Sequence, residues 1–352
     1  MTNPAGSARY AFVDGLRGLA AVSVMLFHLG TGDLRRPLAD GLTPRLPAAL
    51  GYGWLGVHVF FVLSGFVIAH SIGRNAMTAR SALRFVLRRQ VRLDPPYWCA
   101  IAVGVAFAVG ARVLRPGVPR FVPGPRDVFA HVLYVYDLLG LPAISAVFWS
   151  LAIEVQFYLL FVLVLFLLRA LPRLLPWVVL ATAIASLNWA LAWRYPHAWF
   201  TQHWYLFAMG ALVSWTLDRR VHVCLPIGLG IAFVVFGLRN DRLEPVAGGV
   251  VSGLLLLAGW RGALGRWLAA RPLQFLGVVS YGIYLFHTPF AGSLHLGLAR
   301  LVSPATLRGA LLILTAQIGV TLLAAWLLHR TVEGWAIRLA GRIRWQEPRA
   351  TE

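Results

Sequence analysis

Three ionisable side chains interrupt the first apolar stretch of the chain, YAFVDGLRGLAAVSVMLFHLG at residues 10–30. Asp14, Arg17 and His28 each cost free energy inside a bilayer, yet the run is long enough to cross one. In an α-helix, residues 11 apart differ by about 1100°, roughly 20° after whole turns. Arg17 and His28 therefore share a face, about 16 Å apart along the axis. Asp14, three residues before Arg17, lies on the same face. One stripe thus presents an acid, a fixed cation and an imidazole, and an imidazole with its unperturbed pKa of about 6.5 suits proton transfer. A plainer reading pairs Asp14 with Arg17 as an ion bridge near the headgroups and leaves His28 as a polar residue at the far interface.

Two further stretches carry chemistry. In ALRFVLRRQVRLDPPYW, residues 82–98, Arg88, Arg89 and Arg92 precede Pro95 and Pro96, which predict a break before a third apolar helix. A positive-inside anchor accounts for the number of charges. It does not account for the i, i+3 pairing of Arg89 and Arg92, which suits phosphate oxygens. In FWSLAIEVQFYL, residues 148–159, Glu154 and Gln156 fall inside an apolar helix. Glu154 there closes a hydrogen bond or ion pair to a neighbouring helix, or accepts a proton or orients a hydroxyl-bearing substrate. Weaker signals are His58 and Ser64 in GWLGVHVFFVLSGFVIAH, and Tyr281, Tyr284 and His287 in FLGVVSYGIYLFHTPF. Gly and Ser at those spacings speak first for close helix packing, with His58 and His287 as polar linings rather than the primary base.

The elements that must position these residues are membrane helices. The 352 residues are 59% hydrophobic and 13% charged, with a formal charge of +19, a composition that excludes a soluble globular domain. A nucleic-acid-binding protein would not devote most of its length to uncharged runs near 20 residues. Such runs fall at about 10–30, 52–72, 95–114, 147–169, 174–193, 203–218, 223–238, 244–260, 273–295 and 307–329, predicting an all-α polytopic protein of about ten membrane helices. With the N-terminus inside, 19 loop arginines lie on the cytoplasmic side and 10 on the other, which favours both termini in the cytoplasm. Arg17 is then nearer the cytoplasm, and His28 and Glu154 lie in the outer half. The connections 31–51 and 115–146 fall outside, the second with a short interfacial or re-entrant helix expected in HVLYVYDLLGLP. Residues 1–335 form the transmembrane domain and 336–352 a short basic cytoplasmic tail. Met1–Ala8 does not read as a signal peptide. Cys99 and Cys224 form no spacing motif, so neither a disulfide nor a metal site is expected.

Together these stretches resemble the membrane-bound acyltransferase 3 family, whose members acylate sugars, glycan polymers, lipids and antibiotics. The resemblance rests on DGLRGLAAVSVMLFH (14–28), GVHVFFVLSGFVI (56–68), RRQVRLDPPYW (88–98), WSLAIEVQFY (149–158) and SYGIYLFHTP (280–289), in the family's order over almost the whole chain. It implies a ten-helix core and an acyl-CoA donor approached from the cytoplasm. It makes His28 the essential histidine with Arg17 as its motif partner, and Arg89 and Arg92 the RxxR pair. Two positions depart from the pattern: Val155 stands where the family often has a second acid, and His58 where many members have Asp. Unlike some members, the chain carries no fused esterase-like domain, so the membrane core is expected to complete the transfer.

The residues and the resemblance lead to one expectation, an acyl-CoA-dependent O-acyltransferase of a carbohydrate, glycan, glycolipid or sugar-bearing metabolite in a bacterial cell membrane. Arg17, Arg89 and Arg92 would hold the donor's anionic end. His28 would serve as general base or transient acyl carrier, Glu154 would orient the acceptor or His28, and Asp14 would hold Arg17. Trp149, Gln156, Tyr158 and His58 are candidates for acceptor contacts, with Trp199, Trp204 and Tyr205 also near the outer side. The competing class is a transporter or flippase for an anionic lipid or sugar, with His28 coupling to protons.

Overall fold

The computed structural model describes residues 10–30, 32–73, 77–114, 121–192 and 198–344. The arginines at 9, 74, 115, 120, 194 and 349, and Trp345 in the tail, lie outside the described residues. Every one of the ten apolar runs is helical: α1 (Ala11–Leu29), α4 (Gly56–Ile72), α5 (Ala79–Leu114), α7 (Phe148–Leu167), α8 (Leu175–Ala192), α9 (Trp204–Leu217), α10 (Cys224–Arg239), α11 (Leu243–Trp260), α12 (Arg271–Leu298) and α13 (Leu307–Leu328). Short helices α2 (Arg35–Gly41) and α3 (Arg45–Leu50) fill the first long connection, α6 (Pro125–Val132) lies in the second, and α14 (Gly334–Arg342) follows α13 through a π-helical turn. No strand occurs among the described residues. Six helical stretches, those holding α1, α4, α5, α7, α11 and α13, are long and apolar enough to cross a membrane by length and composition.

Helix α9 forms the centre. Every residue from Trp204 to Thr216 is buried, as expected of a helix apolar on all sides whose first charge, Asp218, stands just past its end. It lies against α4 so closely that a Cβ on Gly65 would collide with the Phe207 carbonyl, and one on Gly210 with the Val62 carbonyl. The same device joins α1 to α12. A Cβ on Gly18 would sit 2.7 Å from the Gly277 nitrogen, and one on Gly277 would collide with the Asp14 carbonyl. Small residues let helices pack backbone to backbone where lipid supplies no hydrophobic drive.

Two expectations are corrected. Pro95 and Pro96 do not break the chain; both lie inside the 36-residue α5, which carries Arg88, Arg89 and Arg92 as well as the apolar run. Prolines are tolerated in membrane helices because neighbouring groups and local adjustments re-satisfy the freed backbone. In the second connection the helix comes earlier than expected, over Pro125–Val132, and residues 133–140 form turns that bury Tyr134 and Tyr136. There the Tyr134 hydroxyl donates to Asp94 at 2.9 Å, and Tyr134 stacks on Tyr97. The segment after α13 packs along α5, with Ala336 and Ala340 buried and Arg84 reaching the Arg344 carbonyl.

Candidate active site

The glycine contact between α1 and α12 brings the first helix's polar stripe against a second one. On α12, Tyr281, Tyr284 and His287 recur every third residue and form an inclined row. His287 is fully buried, and its Nε2 lies 3.3 Å from His28 Nδ1. Each imidazole is fixed by its own helix. His28 Nδ1 lies 2.9 Å from the Val24 carbonyl, and His287 Nδ1 lies 3.0 Å from the Ile283 carbonyl. A carbonyl can only accept, so in the neutral pair both Nδ1 atoms carry the hydrogen. The His287 lone pair on Nε2 then faces His28 Nδ1–H, and the basic atom of His28 is its Nε2. A proton arriving there would leave an imidazolium supported by the Val24 carbonyl and by His287.

Below this pair a narrow cleft runs between α1, α4, α5, α7 and α12. One part, about 60 Å³, is lined by Arg17, Ser64, Arg89, Arg92, Glu154 and Tyr281 among others. A second part, about 40 Å³, shares Arg17, Phe60, Glu154 and Tyr281 and continues to Ser150, Ser280 and Tyr284. Tyr284 closes its upper end, 2.6 Å from the Ser150 hydroxyl and donating to the Val147 carbonyl. Its ring centroid is 5.9 Å from that of His287. The cleft is thus far smaller than a ligand pocket of about 300–1,000 Å³.

Charge in the cleft is lopsided. Three guanidinium groups, Arg17, Arg89 and Arg92, meet a single carboxylate, Glu154, which accepts a hydrogen bond from Ser64 at 3.1 Å. Arg17 Nε is buried with no hydrogen-bond partner among the described residues. A buried donor of that kind costs free energy unless something accepts from it. An excess of cations with an unmet donor suits an anion, and phosphate above all. No group of three or more His, Cys, Asp or Glu that could hold a metal occurs among the described residues.

The remaining candidates from the sequence lie elsewhere. Asp14 lines neither part of the cleft; its backbone meets Gly277 in the α1–α12 contact. Trp149 and His58 belong to an aromatic cluster with Phe61 and His203, whose rings lie 5.4–6.2 Å apart. Gln156 spends both ends of its amide on backbone, donating to Ala198 O and accepting from Phe200 N. Tyr158 is fully buried and donates to Gln90. His287, Tyr284, Ser150 and His203 complete the picture in ways spacing alone undervalues. The row of Tyr281, Tyr284 and His287 on one helix was the available signal.

A family model described as an acyltransferase domain matches residues 10–330. The chain belongs to the acyltransferase 3 family. Among curated proteins, the family member is 27% identical to the peptidoglycan O-acetyltransferase OatA of Listeria monocytogenes over 91% of this chain and 54% of that protein. It is 29% identical to the putative membrane-bound transacylase BcsY of Komagataeibacter xylinus, covering 79% of this chain and 72% of BcsY. It is 26% identical to the O-acetyltransferase OatA of Staphylococcus aureus over 79% of this chain and 50% of that protein. The chain therefore spans about half the length of the OatA relatives. No solved structure matches it. Family membership and the apolar helices make it a multi-pass membrane protein, and the transport reading gains no support.

Proposed function

We propose that this protein transfers an acyl group from acyl-CoA to a hydroxyl of a carbohydrate-containing acceptor. The observation that carries the reading is a cationic cleft, with Arg17, Arg89 and Arg92, whose Tyr284 end lies 5.9 Å, ring to ring, from His287 of the His28–His287 pair. The names of the OatA relatives support an acetyl group and a polysaccharide acceptor. In this reading ten helices cross the membrane with both termini in the cytoplasm, residues 1–335 form the transmembrane domain, and the basic tail from 336 stays on the cytoplasmic face.

Arg89 and Arg92 hold donor phosphates, and Arg17 Nε supplies the donor that the cleft leaves unmet. His28 Nε2 takes the proton of the acceptor hydroxyl as its oxygen attacks the thioester carbonyl. The C–S bond breaks, and the imidazolium returns the proton to the departing thiolate. His287 steadies that imidazolium through Nδ1–H. Glu154, held by Ser64, orients groups in the cleft, and Asp14 secures the α1–α12 contact beneath Arg17. Trp149 and His58, in the aromatic cluster beside the cleft, bear on the acceptor, and Gln156 and Tyr158 hold the walls.

Purified protein with radiolabelled acetyl-CoA and a polysaccharide acceptor tests the reading. His28→Ala, shown to be folded, should lose at least about 100-fold in transfer rate. Full activity in that variant removes His28 from the reaction.

A further inference from the structure

A second basic site lies away from the cleft, where the C-terminal ends of α4, α7 and α9 meet. A cavity of about 190 Å³ is lined there by Gly73, Met77, Arg169, Pro172, Trp215 and Arg220 among others. A neighbouring cavity of about 360 Å³ shares Pro172 and Arg220 and adds Arg173, Trp177 and His222. Neither is lined by an Asp or a Glu.

The two arginines of the first cavity are fixed in place. Arg220 donates to the Gly73 carbonyl at 2.7 Å and lies over the Trp215 ring at 5.2 Å. Arg169 donates to the Phe166 carbonyl at 2.9 Å and lies over the Phe166 ring at 4.3 Å. Both contacts cap helix ends, which is the ordinary use of a terminal arginine. Capping does not explain two adjoining cavities whose linings hold three arginines and no Asp or Glu. A guanidinium has five N–H donors, and the Phe166 carbonyl takes one of Arg169's. Arg173, which is exposed, caps nothing and adds its charge to the second cavity.

The flanks of this groove are apolar and open. Leu171 is 52% exposed, Leu174 48% and Trp177 61%. A soluble anion has no use for that surface, whereas the chains of a lipid do. We propose that this groove binds the phosphodiester headgroup of an anionic phospholipid, with Arg169, Arg173 and Arg220 on the phosphate and the chains running past Leu174 and Trp177. Basic pockets between membrane helices bind such headgroups on the same physical grounds. The site is distinct from the Arg17, Arg89 and Arg92 cleft, with which its two cavities share no lining residue.

Native mass spectrometry of the full-length protein in detergent, titrated with phosphatidylglycerol or phosphatidylcholine, reads the site without any acyl transfer. The wild type should retain phosphatidylglycerol in clear preference to phosphatidylcholine. Each arginine replaced should cost about fivefold in that preference, so Arg169→Gln with Arg220→Gln should cost about 25-fold. An unchanged preference in the double variant overturns the proposal. So does displacement of the bound lipid by equimolar glycerol 1-phosphate or CoA, which would make this a soluble-phosphate site. Should the double variant fail to fold, Arg173→Gln decides the same question, because its side chain is exposed and an unchanged preference there is equally fatal.

Discussion

At the scale of single residues, the proposed chemistry depends on which nitrogen of His28 holds its hydrogen, and two backbone carbonyls decide it. The Val24 carbonyl fixes Nδ1–H on His28, and Ile283 does the same for His287. Replacing His287 by Ala leaves His28 on its own helix but removes the acceptor facing the imidazolium. A hydrogen bond to a charged group contributes about 1.5–3 kcal/mol, so the turnover number should fall roughly 10- to 100-fold. Donor affinity, measured by acetyl-CoA binding, should not change. Arg89→Ala and Arg92→Ala should behave in the opposite way, each weakening donor binding roughly 10- to 100-fold. Unchanged donor affinity in both would dispose of the phosphate site. The sequence carried much of this cleft, because Arg17 and Glu154 stand out as charges in apolar helices and Arg89 and Arg92 as an i, i+3 pair ahead of one. His287 was undervalued because a lone histidine in a glycine- and serine-rich helix is ordinarily a packing residue. Nothing in the spacing within either helix says that residues 28 and 287 meet.

At the scale of elements, the apolar runs marked where helices lie, and polar residues within them marked the cleft. The boundaries that failed were those drawn from local rules. Pro95 and Pro96 signal a break in a solvated helix, but α5 runs through them. That continuity holds Arg89 and Arg92 on one rigid rod with the rest of the span. Gln156 stands out because polar residues in membrane helices are expensive. Its amide pins residues 198 and 200, partners no reading of 148–159 alone could supply. The close helix contacts are open to direct test. Gly277→Val puts side-chain atoms where the Asp14 backbone stands. Overpacking of this sort costs about 1–3 kcal/mol, so the melting temperature in detergent should drop and activity with it. Gly253→Val, at a glycine with nothing within 4 Å of its would-be Cβ, should leave the melting temperature within a degree or two.

At the scale of the whole molecule, the proposed topology assigns each loop a side. In a background with Cys99 and Cys224 replaced by alanine, a cysteine at Arg219 should be protected from membrane-impermeant maleimide in intact cells. One at Asp241, across α10, should be labelled. The reverse pattern would invert the protein and with it the direction of donor approach. Composition alone marked a membrane protein, since 59% hydrophobic residues leave no other solvent for the chain. Composition could not say that α9, only 14 residues long, sits wholly inside the bundle. A short apolar run reads the same whether lipid or protein surrounds it, and neighbours settle the difference.

The interlocked glycines carry a consequence for how the sequence can drift. Gly18, Gly65, Gly210 and Gly277 each face another helix's backbone, which cannot rearrange the way a side chain can. In a saturation mutagenesis library selected for function, these four positions should come through as glycine alone. Leu19, next to Gly18 but 43% exposed, should accept any apolar residue. The tightest selection in the protein would then fall on residues that have no side chain and touch no substrate.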